Sequence, residues 1–373
     1  ITCSYVKYKI KEWNQKMKTK NLWASKLGFI MATAGAAIGL GNLWKFPYLM
    51  GRNGGFPFLI AYLFFIVVLG LPVMITEMSL GRKTRHDPVQ AYRDIDPHAG
   101  IAGIFGVLAA FIILSYYSVI GGWIIKYIVS YETTMAAPAD FDGFISSTEP
   151  LWWHLAFIAV TIGVCYFGIS GIESASKVMM PLLFVLLLII IVRSVSLPGA
   201  AKGLVFMFLP DFSAFSLSSV SSALGQVFYS LSLCMGITIT YGSYLGENEN
   251  IPRSCVSVAG LDTLIAVLAG IAIFPAVFAF GLEPGQGPGL IFGTLPKVFA
   301  AIAGGGIFAC LFFVLVFFAA VTSAIALLEV PVSFAIDTLK WSRKKATLII
   351  GTAVFLLGIP SALSFGVLGQ IKI

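Results

Sequence analysis

Groups able to hold ions and carboxylates are concentrated where the surrounding chain is apolar. Residues 35–47 read GAAIGLGNLWKFP. Gly35, Gly39 and Gly41 each weaken a helix there by about 1 kcal/mol relative to Ala. Asn42 adds an amide that hydrocarbon cannot satisfy, and Trp44, Lys45 and Pro47 close the stretch. Residues 225–236, GQVFYSLSLCMG, crowd Gln226, Tyr229, Ser230 and Ser232 between two glycines. A broken helix exposes N–H groups that attract an anion such as a carboxylate, and carbonyls that can hold a small cation. Either stretch alone could equally consist of packing glycines and serines. Three carboxylates, Glu77, Asp262 and Glu329, lie in similarly apolar surroundings, where an ionisable group is a functional candidate by default.

The elements that carry these residues follow from composition. Of 373 residues, 58% are hydrophobic and 11% charged, with a mean hydropathy of +0.93. A soluble domain is nearer a quarter charged, so the chain reads as an all-α polytopic membrane protein. A helix needs about 20 apolar residues to cross the hydrocarbon. Nine segments qualify: 24–48, 55–80, 100–130, 151–168, 174–197, 215–245, 254–281, 303–337 and 346–367. The net charge of +7 lies in loops, which points to topology rather than nucleic acid. With the N-terminus inside, that side carries Lys7, Lys9, Lys11, Lys16, Lys18, Lys20, Lys26, Arg82, Lys83, Arg85 and Arg93. It also carries Lys177, Arg253, Lys340, Arg343, Lys344 and Lys345, while loop 131–150 has four acids and no base. The reading is therefore a multi-pass protein of the plasma (inner) membrane with a cytoplasmic N-terminus and lipid as its surroundings. Loop 282–298 is rich in Gly and Pro yet keeps apolar residues, as a structured loop dipping towards a vestibule would. The five cysteines form no CxxC pair, and no N-x-S/T sequon occurs. His86, His98 and His154 fall at span edges, and no nucleophile–base set converges, so an enzyme is not expected.

The two interrupted stretches lie in spans one and six. Paired interruptions at corresponding positions of two halves point to a binding site in an inverted-repeat transporter. At these residues the chain resembles the neurotransmitter:sodium symporter family. The likeness runs through GLGNLWKFPYL at 39–49, NGGFPF at 53–58, LPVMITEMSLGR at 71–82 and YY at 116–117. It continues through GQVFYSLSL at 225–233, ITYGSY at 239–244 and FFAAVTSAIA at 317–326. The short loop 131–150 resembles that of a prokaryotic member, a hydrophobic amino-acid:sodium symporter. The resemblance implies a tail at 1–23, a five-helix repeat at 24–198 and an incomplete second repeat at 199–373. At least ten spans belong to the family pattern, so the chain is expected to be C-terminally truncated.

The function this resemblance implies is amino-acid uptake coupled to inward Na⁺ flow by alternating access. A Na⁺-dependent amino-acid-binding membrane receptor is the alternative. The substrate carboxylate would meet amides at Leu40 and Gly41 and the hydroxyl of Tyr117, and its amine the Ala37 carbonyl. Ile113, Tyr229, Ser232, Met235, Ser323 and Leu327 would line a mostly apolar pocket, with Ser230 beside it. Two Na⁺ sites are implied and no organic cofactor. The first uses Ala37, Asn42, Ser230 and the substrate carboxylate. The second uses carbonyls of Gly35, Ile38 and Ala319 with the hydroxyls of Thr322 and Ser323, unless Thr322 and Ser323 bond back to their own helix. All-oxygen ligation suits this hard cation. Asp262 would stand where relatives bind chloride, making chloride unnecessary. Glu77 would support the broken helices, and Glu329 would act similarly or sit as a lone buried acid. Lys45 takes the place of an outer-gate Arg. Lys20 and Trp23 would close the cytoplasmic path, with Lys20 paired to Asp337 beside Tyr244. Gly171 and Pro181 bracket a stretch of span five that could unwind, or mark a loop and a kink.

Overall fold

The computed structural model describes residues 22–282 and 288–369. Among them every named element is helical. Helix α1 spans Lys26–Ala37. After a break, a π-helical segment at Gly41–Lys45 runs into α2, Phe46–Arg52. Helix α3 (Phe56–Phe65) continues through a π-helical turn, Ile66–Gly70, into α4 (Leu71–Thr84). The short α5 (Pro88–Arg93) leads to the long α6 (Gly100–Thr134). There follow α7 (Phe141–Ser146), α8 (Pro150–Tyr166), α9 (Ile169–Val195) and α10 (Ala201–Phe208). Helices α11 (Leu217–Ser230) and α12 (Ile237–Gly242) form the second interrupted pair, ahead of α13 (Ile251–Ala279). A π-helical segment at Leu290–Thr294 then enters α14 (Leu295–Ala301), and α15 (Gly305–Asp337) and α16 (Arg343–Ala362) complete the order.

Among the described residues, six helices are long and apolar enough to cross a membrane: α3–α4 taken together, α6, α9, α13, α15 and α16. The pair Lys26–Ala37 and Gly41–Arg52, bent by 52° at its break, makes a seventh when taken as one span. The other two expected spans fall on α8, which has 17 residues, and on the α11–α12 pair. Starts and stops follow local chemistry. Ser25 caps α1 by accepting from the Gly28 N–H at 3.0 Å. Asp87 caps α5 at the Val89 N–H, 2.9 Å away, with Pro88 in the first turn where no donor is lost. Helix α9 begins at Ile169, five residues before the expected start. Gly168, at φ +69°, turns the chain there, so Gly171 lies inside the helix and not in a loop. His154, expected at a span edge, is in the second turn of α8 and wholly buried, 2.8 Å from the Ser118 hydroxyl. Of the expected structured loop 282–298, residues 283–287 lie outside the described residues; Leu290–Thr294 is π-helical, with Leu290, Ile291 and Phe292 buried.

Two main cores hold the helices together. One joins α6, α8, α9, α15 and α16 and takes buried residues of α1, α12 and α13 as well. The other joins α2, α3, α4 and α11 to further buried residues of α1 and α13, and α12 packs on α4 beside it. Lipid tails provide no hydrophobic drive between helices, so close backbone approach at small residues does that work. Gly81 of α4 has no room for a side chain against the Ile239 carbonyl, nor Gly242 of α12 against that of Met78. Arg85, left-handed at φ +61°, stops α4 and donates to the Ser243 and Leu245 carbonyls, sealing the end of α12. At the other end, Gly55 (φ +67°) pairs by a single bridge with Pro210. That contact joins the α2–α3 corner to the segment before α11.

Gly81→Val is expected to wedge α4 from α12, with a loss of several degrees in melting temperature or of monodisperse protein in detergent. Gly163→Ala is the control, because its Cβ meets nothing within 4 Å and a helical Gly→Ala change removes about 1 kcal/mol of helix cost. Equal melting temperatures for the two variants would contradict the packing described.

Candidate functional site

The first break lets α1 end in the middle of the protein. Ile38 is extended (ψ 95°), and the chain re-enters helical geometry at Leu40. Gly39 has no room for a Cβ, which would meet the Ser323 hydroxyl of α15 at 2.5 Å. That hydroxyl lies 3.3, 3.3 and 3.4 Å from the Gly35, Ala36 and Ile38 carbonyls. One O–H can donate to one of them well, so acceptors outnumber donors. Thr322 bonds back to the preceding turn at Phe318 (2.9 Å) and Ala319 (3.2 Å), the alternative left open by its residue type. Its oxygen lone pairs stay available. A surplus of oxygen acceptors around one hydroxyl fits a small hard cation. No group of three or more His, Cys, Asp or Glu able to hold a metal ion occurs among the described residues.

The second break spans 231–236. Ser232 (φ +54°) and Cys234 (φ +62°) both adopt the left-handed region, as does Gly236. Each of the two non-glycine residues costs on the order of 1 kcal/mol there. Glu77 of α4 holds the segment by accepting from the Cys234 N–H at 3.1 Å and from the Thr238 hydroxyl. The Ser232 hydroxyl donates across to the Ala36 carbonyl at 3.2 Å, so the two breaks touch.

A cavity lies between them. Of the expected pocket residues, all but Ser230 line it, and Ala36, Gly39 and Ile237 complete its wall. The Leu40 N–H donates to the Tyr117 hydroxyl at 3.4 Å. Gly41 has no side chain because the Tyr229 ring lies 2.6 Å from where its Cβ would be. Lys45 sits above that ring, its Nζ 4.1 Å from the centroid. A cation in this position is attracted to the ring face.

Ser230 turns instead to Asp262 of α13, which is wholly buried. Asp262 Oδ1 accepts from Asn42 Nδ2 (2.8 Å) and the Ser230 hydroxyl (3.0 Å). Its Oδ2 accepts from Ser230 (2.8 Å) and from the Tyr62 hydroxyl (3.2 Å). Two of the residues expected to hold the first ion are thus bonded directly to Asp262. Asn42 Oδ1 accepts from the Gly39 N–H at 3.2 Å. Tyr62 was not singled out by sequence. Its only signal is a phenol among the phenylalanines and leucines of 56–65.

The Trp23 indole donates to the Tyr241 carbonyl at 3.2 Å. The Tyr244 hydroxyl donates to Glu329 at 2.7 Å, rather than serving only as a neighbour of Asp337. Glu329 is neither a lone acid nor a support like Glu77. Arg343 of α16 grips it with Nη1 at 2.8 Å and Nη2 at 2.5 Å. A bidentate guanidinium compensates a buried carboxylate far better than hydroxyls alone. Sequence reading counted Arg343 only as topology charge. Lys20 lies outside the described residues, so its expected pair with Asp337 is not placed. The Tyr127 hydroxyl donates to the Phe292 carbonyl at 2.7 Å, pinning the π-helical segment Leu290–Thr294 to α6.

Relatives with the same architecture exist. The crystal structure of MhsT in complex with L-phenylalanine superposes with a TM-score of 0.88 at 47% identity, covering 95% of this chain and 83% of that one. An uncharacterized sodium-dependent transporter of Bacillus subtilis, YhdH, is 41% identical over 94% of this chain and 80% of its own length. An uncharacterized sodium-dependent transporter of Haemophilus influenzae is 39% identical over 93% and 80%. The sequence profile of the sodium:neurotransmitter symporter family matches residues 20–142 and 142–368. The chain belongs to that family, a multi-pass membrane transporter family whose members use sodium.

Proposed function

We propose that the protein couples inward Na⁺ flow to uptake of a hydrophobic amino acid by alternating access. The observation that carries this reading is the position of Ser323. Its hydroxyl sits among three carbonyls of α1 and also forms part of the cavity wall. An ion there and a substrate in the cavity share a side chain, so each can report on the other. The substrate carboxylate meets the Leu40 and Gly41 amides and the Tyr117 hydroxyl, and its amine meets the Ala37 carbonyl. Asn42 and Ser230 serve a first Na⁺ with that carboxylate. Gly35, Ile38, Ala319, Thr322 and Ser323 serve a second. Ile113, Met235 and Leu327 take the side chain. A charged side chain there would lose its hydration without a counter-charge, which argues for an apolar substrate. The L-phenylalanine bound by MhsT is of that kind.

Spans 1, 2, 6 and 7 rock against 3, 4, 8 and 9, within nine crossings arranged as two inverted repeats. Lys45 over Tyr229 closes the outer side. Trp23, Tyr244 and the Glu329–Arg343 pair close the inner side, with the N-terminus cytoplasmic. Unwinding between Gly171 and Pro181 opens a water path to the second ion. Asp262 supplies the negative charge that relatives take from chloride.

Three measurements test the proposal. In competition binding across the twenty amino acids, hydrophobic ligands should win, and only with Na⁺ present; Na⁺-independent binding would remove the ion from the site. In proteoliposomes of the full-length protein, a Na⁺ gradient should drive uptake of the same ligands. Na⁺-dependent binding without uptake would mark a receptor. Asp262→Ser should lower transport at least about tenfold in chloride-free buffer and regain it on adding chloride, since a buried charge is being exchanged for an external one. No gain on adding chloride would refute the chloride-substitution role.

A further inference from the structure

The start of α1 is tied to α9 by a carboxylate that the transport mechanism above leaves unused. Glu173 lies in the second turn of α9 and is 3% exposed. Its Oε2 accepts from the Ala24 N–H at 2.8 Å, and its Oε1 from the Ser25 hydroxyl at 2.7 Å. Ser25 in turn caps α1 at the Gly28 N–H, 3.0 Å away. Lys177, one turn further along α9, balances the charge with Nζ 2.6 Å from Oε1. Gly28 has no side chain because Glu173 occupies the space where its Cβ would be. The carboxylate therefore sits on the positive end of α1, where a negative charge is stabilised. Hydrogen bonds with an ionised partner are roughly twice as strong as neutral ones.

The same two helices meet again near the ion site. The Met180 sulfur lies 3.2 Å from where a Gly35 Cβ would be, and Gly35 offers one of the carbonyls around Ser323. Glu173 also falls inside the Gly171–Pro181 bracket. Any unwinding of that bracket displaces Glu173 from Ala24 and Ser25.

We infer that Glu173 is a positioning residue that latches the inner end of α1 to α9, so that release of α1 and unwinding of 171–181 are one event. This rests on the transport reading above. In that scheme the latch holds the cytoplasmic path shut while the Gly35–Ser323 ion site is filled, and its rupture exposes that site to the inside. A ligand shifts such an equilibrium only by its differential affinity for the two states. Weakening the latch therefore weakens apparent Na⁺ affinity without removing any Na⁺ ligand.

The test uses the full-length protein with Glu173→Gln and Ser25→Ala, read by hydrogen exchange and by L-phenylalanine binding across a Na⁺ titration. In Na⁺, Glu173→Gln should speed exchange in segments 22–30 and 169–181 together, by about tenfold, while α16 is unchanged. The half-saturating Na⁺ concentration should rise by a similar factor, the effect of losing one charge-assisted contact. Ser25→Ala, which keeps the carboxylate, should move both readouts the same way by less. Wild-type exchange and Na⁺ dependence in both variants would overturn the latch, as would faster exchange in only one segment. If Glu173→Gln fails to fold, Ser25→Ala decides. If the wild type shows no Na⁺-dependent L-phenylalanine binding, the transport reading falls, and paired exchange still tests the latch.

Discussion

The requirement that backbone polar groups be satisfied away from water governs this structure. Breaking two helices at membrane depth releases amides and carbonyls that would each cost several kcal/mol in hydrocarbon. The protein meets that demand with side chains brought from other helices. Glu77 takes the Cys234 amide and Tyr117 the Leu40 amide, while Ser232 and Ser323 reach the α1 carbonyls. The solution is incomplete in one direction, because around Ser323 acceptors remain in excess. That imbalance makes the site suited to a cation rather than merely tolerated.

Three of the buried acids are handled in distinct ways. Asp262 is surrounded by neutral donors from three other helical elements, Asn42, Tyr62 and Ser230. Glu77 is held by an amide and a hydroxyl. Glu329 is gripped by a guanidinium. A carboxylate ringed by neutral dipoles can exchange its charge state with less disruption than one locked in a bidentate pair. In the proposed mechanism the carboxylate of neutral surroundings serves the first ion site and the bidentate pair the inner closure, in keeping with this difference.

Much of the fold was legible because membrane crossings announce themselves by length and hydropathy. The interruption at 35–47 was legible because Gly and Asn are poor choices there unless used. The left-handed turns at Ser232 and Cys234 were not, since neither residue type signals positive φ. In that geometry the segment is held by Glu77 at the Cys234 N–H and by the Ser232 hydroxyl at the Ala36 carbonyl. Arg343 was also hidden. It follows Glu329 by 14 positions, and only the chain reversal after α15 turns it back towards the acid. Tyr62 became visible only once α3 was laid beside α13. In each case the missing information was a contact between elements, which local composition does not encode.

The bridge between Gly55 and Pro210 has a mechanical consequence. It sews the α2–α3 corner to the strap leading into α11, and the Gly81–Gly242 crossing sews α4 to α12 at the opposite end. Two ties at opposite ends resist sliding of the α3–α4 span along the α11–α12 pair, so the two are carried together despite the interruption within each. Glycine at these crossings thereby sets how closely the two are held.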